Sequence, residues 1–566
     1  MTSIHDAGGS VLRTVSLTAG GALVVRGHDL GPAVVRAFGG SEYEFERSYS
    51  AADTQRLRSL IELRPDDDLL TAAVSHRIVT VDPNAQSLVL LIGLAVGVDY
   101  ALFIVRRARE ERAAGASVED SIAIAGGTAG RAVVISGLTV MVAMAGMLVA
   151  GGLFTSIAIG ALLVVGVAVL ASATVLPAVL GILGDRVDAW RLPFTSRRTA
   201  RRGTDRSAWG RLAGAVAAKP ARYAVPTVAV LLALAAPALG MRTALPGIEG
   251  LPSDLAVVAA YRQLEQAAPS DGTSLAVVVQ APAAQRDQVT AALLAATPAA
   301  ARIEHVSGVA PAPQASRDGT VHVLNIGVRL DASDARLPGV VERVRAEIVP
   351  AVRAALGPTT AQVHVGGEAA ATDLSSWMDS RLPWVVGFVL ALTLLVMMLS
   401  FGSPALAAAT VGLNVLSVGA AYGIMTAVFQ GTWAQGLLGF TSIGSIASWL
   451  PLLLFVVLFG LSMDYHVFVT SRVREAFDAG ADPRTAVRLG VARSAGVVTS
   501  AAAVMVAVFA VFATLSTLEM KQLGVGLAAA VLLDATVVRG LLLPATMAWL
   551  GKRAHTGPAW LPRLHH

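Results

Sequence analysis

Cysteine is absent from the 566 residues of this chain, which excludes disulfide bonds and thiolate metal sites. Charged residues are scarce, at 15%, whereas hydrophobic residues make up 54%, a composition too apolar for a soluble protein of this length. The sequence also has no phosphate-binding loop of the Walker type and no metal-ligand spacing. We therefore expect neither an enzyme nor an ATP-driven pump, and no metal or cofactor.

Long apolar runs dominate instead. Runs of about 18 or more apolar residues predict transmembrane helices, so the chain is expected to be an α-helical polytopic membrane protein. We predict nine spans, near residues 86–106, 131–151, 155–183, 222–240, 382–400, 404–428, 449–470, 492–515 and 520–549.

Two of the predicted spans carry a carboxylate beside a tyrosine. Asp99 and Tyr100 lie in the first span, and Asp464 and Tyr465 lie in the seventh. A charged side chain at mid-membrane depth costs roughly 2.5 to 3.5 kcal/mol on insertion scales. Since the chain bears this cost twice in the same local sequence, the sequence predicts that both carboxylates are functional.

Basic residues between the apolar runs predict the orientation in the membrane. The net charge of +5 comes from such loops, so we expect no nucleic-acid partner. The segments expected are a weakly ordered N-terminal tail (1–85), first-half helices (86–184), a basic cytoplasmic linker (185–221), one span (222–240), an extracytoplasmic domain (241–381), the second-half bundle (382–550) and a cytoplasmic C-terminal tail (551–566).

The insert at 241–381 has the pattern of an α+β domain. Strands are predicted at 274–280, 302–309, 320–330 and 361–365, with helices at 285–296 and 338–356. A β-α-β, β-α-β order is typical of the ferredoxin-like split motif. We expect one sheet with two helices on one face.

The two halves of the chain repeat one another. Besides the two Asp-Tyr pairs, AVVISG ending at Gly137 matches GVVTSA ending at Ala501, and Pro177 matches Pro544 in similar apolar contexts. One order of features with small drifts in spacing indicates duplication. Both Asp-Tyr spans are predicted to run from outside to inside, so the bundle is a parallel repeat, as in many secondary transporters.

These motifs resemble the MMPL branch of the RND superfamily, from roughly residue 82 to 551. The resemblance rests on GLAVGVDYALFIVRRAREER, TAGRAVVISGLT, FGLSMDYHVFVTSRVREA and DATVVRGLLLPA. It implies a proton-driven exporter of lipids or hydrophobic compounds in the bacterial inner membrane, with porter-type extracytoplasmic domains. Carried over to this sequence, the proton-relay residues are Asp99, Tyr100, Asp464 and Tyr465.

The resemblance also implies three further spans and a first porter region before Leu91. VDPNAQS, at 81–87, resembles the family's lead-in to its Asp-Tyr span, but the preceding residues do not resemble the family. We therefore expect an N-terminally incomplete member, with nine spans instead of twelve, in which export is impaired. The alternative function is a non-transporting, degenerate or accessory membrane scaffold with the same fold.

The chemistry expected of the carboxylates follows from their burial. A low-dielectric interior disfavours the ionised form, so a proton arriving from outside can neutralise the group and later leave inward. We expect each carboxylate to lie near the tyrosine of the other Asp-Tyr span. The alternative is that the carboxylates only hold helices together by hydrogen bonds. Asp534 and Arg539 are expected to form a structural pair; the alternative is that the Arg539 side chain snorkels towards the membrane surface. His466 is expected either to pack within the bundle or to take part in the proton relay.

Overall fold

The computed structural model describes residues 2–5, 11–17, 23–29, 43–49, 83–188, 208–247, 250–251, 255–256, 258–260, 263, 272–358 and 360–554. For the four N-terminal strands, and for residues 83–88, 90, 91, 132, 135, 153, 185, 188 and 464, it describes the backbone alone. The chain forms two compact units, one of residues 1–81 with 251–270 and the other of residues 82–250 with 271–566.

The first unit contains a four-stranded antiparallel sheet. Its strands follow the chain order: β1 (Thr2–His5), β2 (Val11–Leu17), β3 (Leu23–Asp29) and β4 (Tyr43–Tyr49). Residues 50–82 lie outside the described residues. The weakly ordered tail expected at 1–85 therefore stays a prediction.

The first half of the second unit is helical. Its helices are α1 (Pro83–Ala113), α2 (Val118–Ala125), α3 (Arg131–Ala145), α4 (Met147–Ala150), α5 (Leu153–Ala173), α6 (Val175–Leu183), α7 (Ala208–Ala218) and α8 (Pro220–Ala235). A π-helical turn, Gly126–Gly130, joins α2 to α3. Gly137 lets α3 approach α5 closely, since a Cβ there would lie 2.1 Å from Val169 Cγ2.

An α+β domain follows, with strands β5 (Thr243–Ala244), β6 (Thr273–Gln280), β7 (Val306–Val309), β8 (Gln314–Ala315), β9 (Val321–Val328) and β10 (Gln362–Gly367). Its helices are α9 (Arg286–Ala300), α10 (Leu337–Arg343) and α11 (Val349–Leu356). The antiparallel sheet has the order β10-β6-β9-β7, with β8 also on β9. Alternate residues of β9, from His322 to Val328, are buried.

The second half is again helical, with α12 (Glu368–Phe401), α13 (Pro404–Phe429), α14 (Gln435–Leu438), α15 (Leu450–Asp478), α16 (Pro483–Ala513), α17 (Leu518–Leu533) and α18 (Leu543–Leu550). A short strand β11 (Ile446–Ala447) pairs with β5. Between α17 and α18 the chain stays helical as a π-helix, Asp534–Leu542. Helix α12 begins at Glu368, well before the boundary placed at 381, because the domain's last strand leads directly into it.

Within the described residues, seven helices are long and apolar enough to cross a membrane. They are Phe154–Leu183, Pro220–Gly240, Glu368–Phe401, Pro404–Phe429, Leu450–Asp478, Pro483–Ala513 and Leu518–Ala554. Each overlaps a predicted span. The total of nine spans stays a prediction.

Candidate functional site

The carboxylate of Asp99 on α1 and the hydroxyl of Tyr465 on α15 meet inside the helical bundle. Tyr465 donates a hydrogen bond to Asp99 Oδ1. Asp99 is only 3% exposed and Tyr465 is fully buried. The contact joins the two halves of the repeat, because its partners are 366 residues apart.

Aromatic rings hold Tyr465 in this position. The ring of Phe103, one helical turn beyond Asp99, lies 5.6 Å from the Tyr465 ring and 5.2 Å from that of Phe468, centroid to centroid. Such tilted and edge-on arrangements are the preferred geometries of aromatic pairs. The hydroxyl of Tyr465 is therefore directed by packing from both Asp-Tyr spans.

The other members of the predicted site are placed less completely. Tyr100 is 1% exposed, and its hydroxyl lies 3.5 Å from where a Cβ on Gly137 would be. Position 464 lies in α15, but the Asp464 side chain falls outside the described residues. The structure thus brings Asp99 and Tyr465 together, and the role of all four residues in a proton relay stays a prediction.

A second polar cluster contacts the Tyr465 ring. The Arg539 guanidinium lies 4.2 Å from the ring centroid, a cation–π geometry. Arg539 Nη2 also donates to Asp534 Oδ2, and Asp534 and Arg539 are only 4% and 5% exposed. Arg539 is therefore a buried ion-pair partner, and the snorkelling alternative is wrong.

Helices α13 and α15 complete this cluster. Ser462 Oγ lies 2.7 Å from Asp534 Oδ2 and 2.9 Å from Asn414 Oδ1. His466, which is fully buried, places Nε2 3.9 Å from Asp534 Oδ1. A cavity of about 20 Å³ adjoins Asn414, Asp534 and Arg539, which is room for one water molecule. The polar side chains thus extend from Asp99 through Tyr465 to a second carboxylate.

Sequence reasoning missed Asn414 and Ser462 and gave Asp534 and Arg539 no functional role. The available signal was a set of polar residues in runs otherwise apolar enough for the membrane. On an α-helix, charged side chains can pair when they are three or four residues apart, whereas Asp534 and Arg539 are five residues apart. The π-helical turn of Asp534–Leu542, with its wider i to i+5 repeat, brings them to the same side.

Comparison with known proteins identifies the family. The model of the MMPL family matches residues 69–223 and 249–565. The chain belongs to the MMPL family. It is thus a multi-pass membrane protein of the plasma membrane, in agreement with its apolar helices.

The chain spans about half the length of the curated MMPL relatives it matches. It is 35% identical over 491 residues to a mycolic acid-containing lipids exporter, MmpL11, of Mycolicibacterium smegmatis, covering 86% of this chain and 51% of that protein. It is 36% identical over 495 residues to a heme uptake protein, MmpL11, of Mycobacterium tuberculosis, covering 86% and 50%. The solved structure of SecDF, a translocon-associated membrane protein from Thermus thermophilus, is 14% identical with a TM-score of 0.49, covering 93% and 64%.

Proposed function

We propose that this MMPL chain is a proton-driven export subunit for lipids or other hydrophobic compounds, and not an enzyme. The observation that carries the proposal is the hydrogen bond from Tyr465 to the buried carboxylate of Asp99. An ionisable group inside the membrane is costly, and such groups mark proton pathways in transporters.

Proton binding at Asp99 is proposed to change the contact between the two halves. While Asp99 is ionised, the hydroxyl of Tyr465 donates a charge-assisted hydrogen bond, which is roughly twice as strong as a neutral one. A protonated carboxyl becomes a donor itself, so that bond weakens and the tilted rings of Phe103 and Tyr465 can shift. Closely packed helices respond by discrete movements, which would be passed to the α+β domain.

The ion pair beside Tyr465 supports this coupling. Arg539 contacts the Tyr465 ring and bonds to Asp534, so a shift of the tyrosine changes the surroundings of a second buried carboxylate. We assign Asp534 and Arg539 to the same proton-coupled network. His466 is included as a neighbour of Asp534.

Asp464 and Tyr100 are proposed to act as the matching pair. Support comes from the repeat, in which Asp464-Tyr465 occupies the place of Asp99-Tyr100. Both tyrosines are almost completely buried. A relay with one carboxylate from each half would let each carboxylate respond to the charge of the other.

The α+β domain is proposed to be a ferredoxin-like, porter-type domain outside the membrane. Its strand order β10-β6-β9-β7 with two intervening helical segments supports this fold. The orientation is supported by arginine-rich loops at the opposite ends of the spans, since short basic loops remain in the cytoplasm. It places the 106–131 and 472–493 loops in the cytoplasm, together with the C-terminal tail.

The decisive experiment measures pH-gradient-driven transport of a fluorescent lipid in proteoliposomes containing the full chain. We expect Asp99→Asn to abolish the transport that depends on the gradient, because the amide cannot bind and release a proton as the carboxylate does. Tyr465→Phe, which keeps the ring and removes the donor, should lower the rate about tenfold, the effect of a lost charge-assisted hydrogen bond.

Asp478→Asn is the matched control, since Asp478 lies near the end of the same helix as Tyr465 and pairs on the surface with Arg474. We expect this variant to transport like the unmodified chain. Equal transport by Asp99→Asn and the unmodified chain would contradict the relay. Absence of gradient-driven transport in a correctly folded unmodified chain would favour the non-transporting scaffold.

A further inference from the structure

A cavity of about 430 Å³ opens between α1, the α2–α3 junction and α15. The end of the cavity that is closer to Asp99 along α1 is lined by Tyr100, Ser136 and the rings of Phe103 and Phe468. The other end is lined by arginines and glutamates. The volume lies within the range of about 300 to 1,000 Å³ that is usual for small-molecule sites. The cavity therefore has one aromatic end and one charged end.

The charged end has more cations than anions. Four arginines, Arg106, Arg107, Arg131 and Arg472, and two glutamates, Glu110 and Glu475, line the cavity. A third carboxylate, Glu111, lies 2.7 Å from Arg107 Nη2. One positive charge is thus left without an opposite charge.

The uncompensated groups are identifiable. Glu110 pairs with Arg106 at 3.2 Å and Glu475 with Arg472 at 2.9 Å. Arg131 is exposed and forms no ion pair with any carboxylate that the structure describes. Among the described residues, Arg107 Nε is buried without a hydrogen-bond acceptor. Arg131 therefore has free donors, and Arg107, although paired with Glu111, keeps one nitrogen whose hydrogen-bonding capacity no described residue uses.

The arginines are also held in place before any ligand binds. Arg106 packs on α16 at Gly496, where a Cβ would lie 2.7 Å from Arg106 Nη2, and Arg106 Nη1 is 3.4 Å from Ser500 Oγ. The Arg472 guanidinium lies 5.5 Å from the centre of the Phe468 ring. Pre-positioned side chains lose less entropy on binding, which favours affinity.

We propose that this cavity binds the phosphate group of an anionic phospholipid from the cytoplasmic leaflet. Guanidinium groups match phosphate oxygens in shape and charge, and basic pockets between transmembrane helices on the cytoplasmic side bind anionic head groups. Phe103 and Phe468 offer an apolar wall for the carbons next to the phosphate. The assignment of the leaflet rests on the orientation proposed above.

The test is native mass spectrometry of the full chain in micelles, titrated with phosphatidylglycerol or with phosphatidylcholine. We expect one tightly retained phosphatidylglycerol and no retained phosphatidylcholine. Arg131→Gln combined with Arg107→Gln should raise the Kd for phosphatidylglycerol at least about tenfold. Arg131→Lys alone, which keeps the charge and loses the planar fork, should weaken binding less and shows whether a folded variant responds.

Arg484→Gln is the matched control, because Arg484 is an exposed arginine of the same predicted membrane side that does not line the cavity. Its Kd should not change. Equal loss in Arg484→Gln, or equal retention of the two lipids, would overturn the site. If inorganic phosphate alone binds as tightly as phosphatidylglycerol, a free anion and not a lipid is the ligand. None of these readouts depends on transport, so the site and the proton relay fail separately.

Discussion

The two halves of the bundle share their Asp-Tyr spans but differ in the last helix. Ten residues before Pro544 lies Asp534, and five before it lies Arg539. At the same distances before Pro177 the first half has Val167, which is 62% exposed, and the buried Ser172. The ion pair that contacts Tyr465 therefore has no counterpart at these positions in the first repeat.

This difference affects the surroundings of the contact between Asp99 and Tyr465. The positive charge near the Asp99–Tyr465 contact comes from Arg539 of the second half. The first half instead uses small residues: Gly137 stands where the second half has Ala501, and it brings α3 against α5. The two halves thus share their acidic spans, whereas the ion pair on the Tyr465 ring comes from the second half.

Removing the second half's ion pair should have the largest effect. Arg539→Gln leaves Asp534 as a buried charge without its partner, which we expect to lower the free energy of unfolding by about 3 to 5 kcal/mol. Ser172→Ala, at the matching place in the first half, should cost about 1 kcal/mol or less. Denaturant titration in micelles measures both.

The double variant Asp534→Leu with Arg539→Leu serves as the control. Replacing both members of a buried pair by apolar residues is often close to neutral, so this variant should recover most of the lost stability. If the double variant is as unstable as the sum of its single variants, the two side chains do not act as a pair.

Exchanging the last residue of the AVVISG repeat should have a medium effect. Gly137→Ala places a methyl 2.1 Å from Val169 Cγ2, and the stiff branched valine cannot turn away. We expect a loss of about 1 to 3 kcal/mol in the free energy of unfolding. Thermal melts of purified variants in micelles would show it.

Adding Val169→Ala to Gly137→Ala should restore part of the stability, because it removes the clashing methyl groups. The reverse exchange in the second half, Ala501→Gly, should cost only about 1 kcal/mol, the usual effect of glycine in a helix. Equal losses from Gly137→Ala with and without Val169→Ala would show that α3 and α5 do not meet at this glycine.

The smallest effect is expected at the equivalent helix starts after the two Asp-Tyr spans. Ser117 caps α2 by accepting a hydrogen bond from the Asp120 N–H, and Asp482 caps α16 by accepting from the N–H groups of Arg484 and Thr485. Hydrogen bonding from Thr485 holds the pKa of Asp482 below its ordinary value. The stability that this second cap contributes therefore depends on pH.

A depressed carboxyl pKa contributes stability above the unfolded value of about 3.9, and the contribution is lost as pH falls through the lower folded value. We expect Asp482→Ser, which copies the first-half cap, to lower Tm slightly at about pH 7. The difference from the unmodified chain should vanish as the pH drops below the lowered folded pKa of Asp482. A difference that stays constant with pH would mean that the Asp482 charge does not stabilise the cap.

Much of the fold could be predicted from the sequence because it depends on local composition. The apolar runs predicted spans that overlap all seven candidate membrane helices in the described residues, and alternation predicted the strands of the α+β domain to within a few residues. Helix α12 begins at Glu368, earlier than the predicted domain boundary at 381, because the strand β10 passes directly into it. Gly366 and Gly367 stand at that junction, and Gly367 adopts a φ of 70° directly before the helix.

The candidate site could be predicted only in part from the sequence. Asp99 and Tyr465 could be singled out because a carboxylate and its tyrosine neighbour recur in otherwise apolar spans. Asn414 and Ser462 could not, since single polar residues are common at helix contacts in membranes. Their grouping around Asp534 depends on three separate helical segments.

The sequence by itself determined that this chain has membrane helices, a duplicated pair of acidic spans and one α+β domain, because hydrophobicity and repeats are properties of short segments. Only the tertiary structure decided that Tyr465 of one half faces Asp99 of the other, with Arg539 on its ring. The physical reason is that a helix apolar on all sides has no preferred face in its sequence. Its rotation, and the π-helical turn that aligns Asp534 with Arg539, follow from packing against its neighbours.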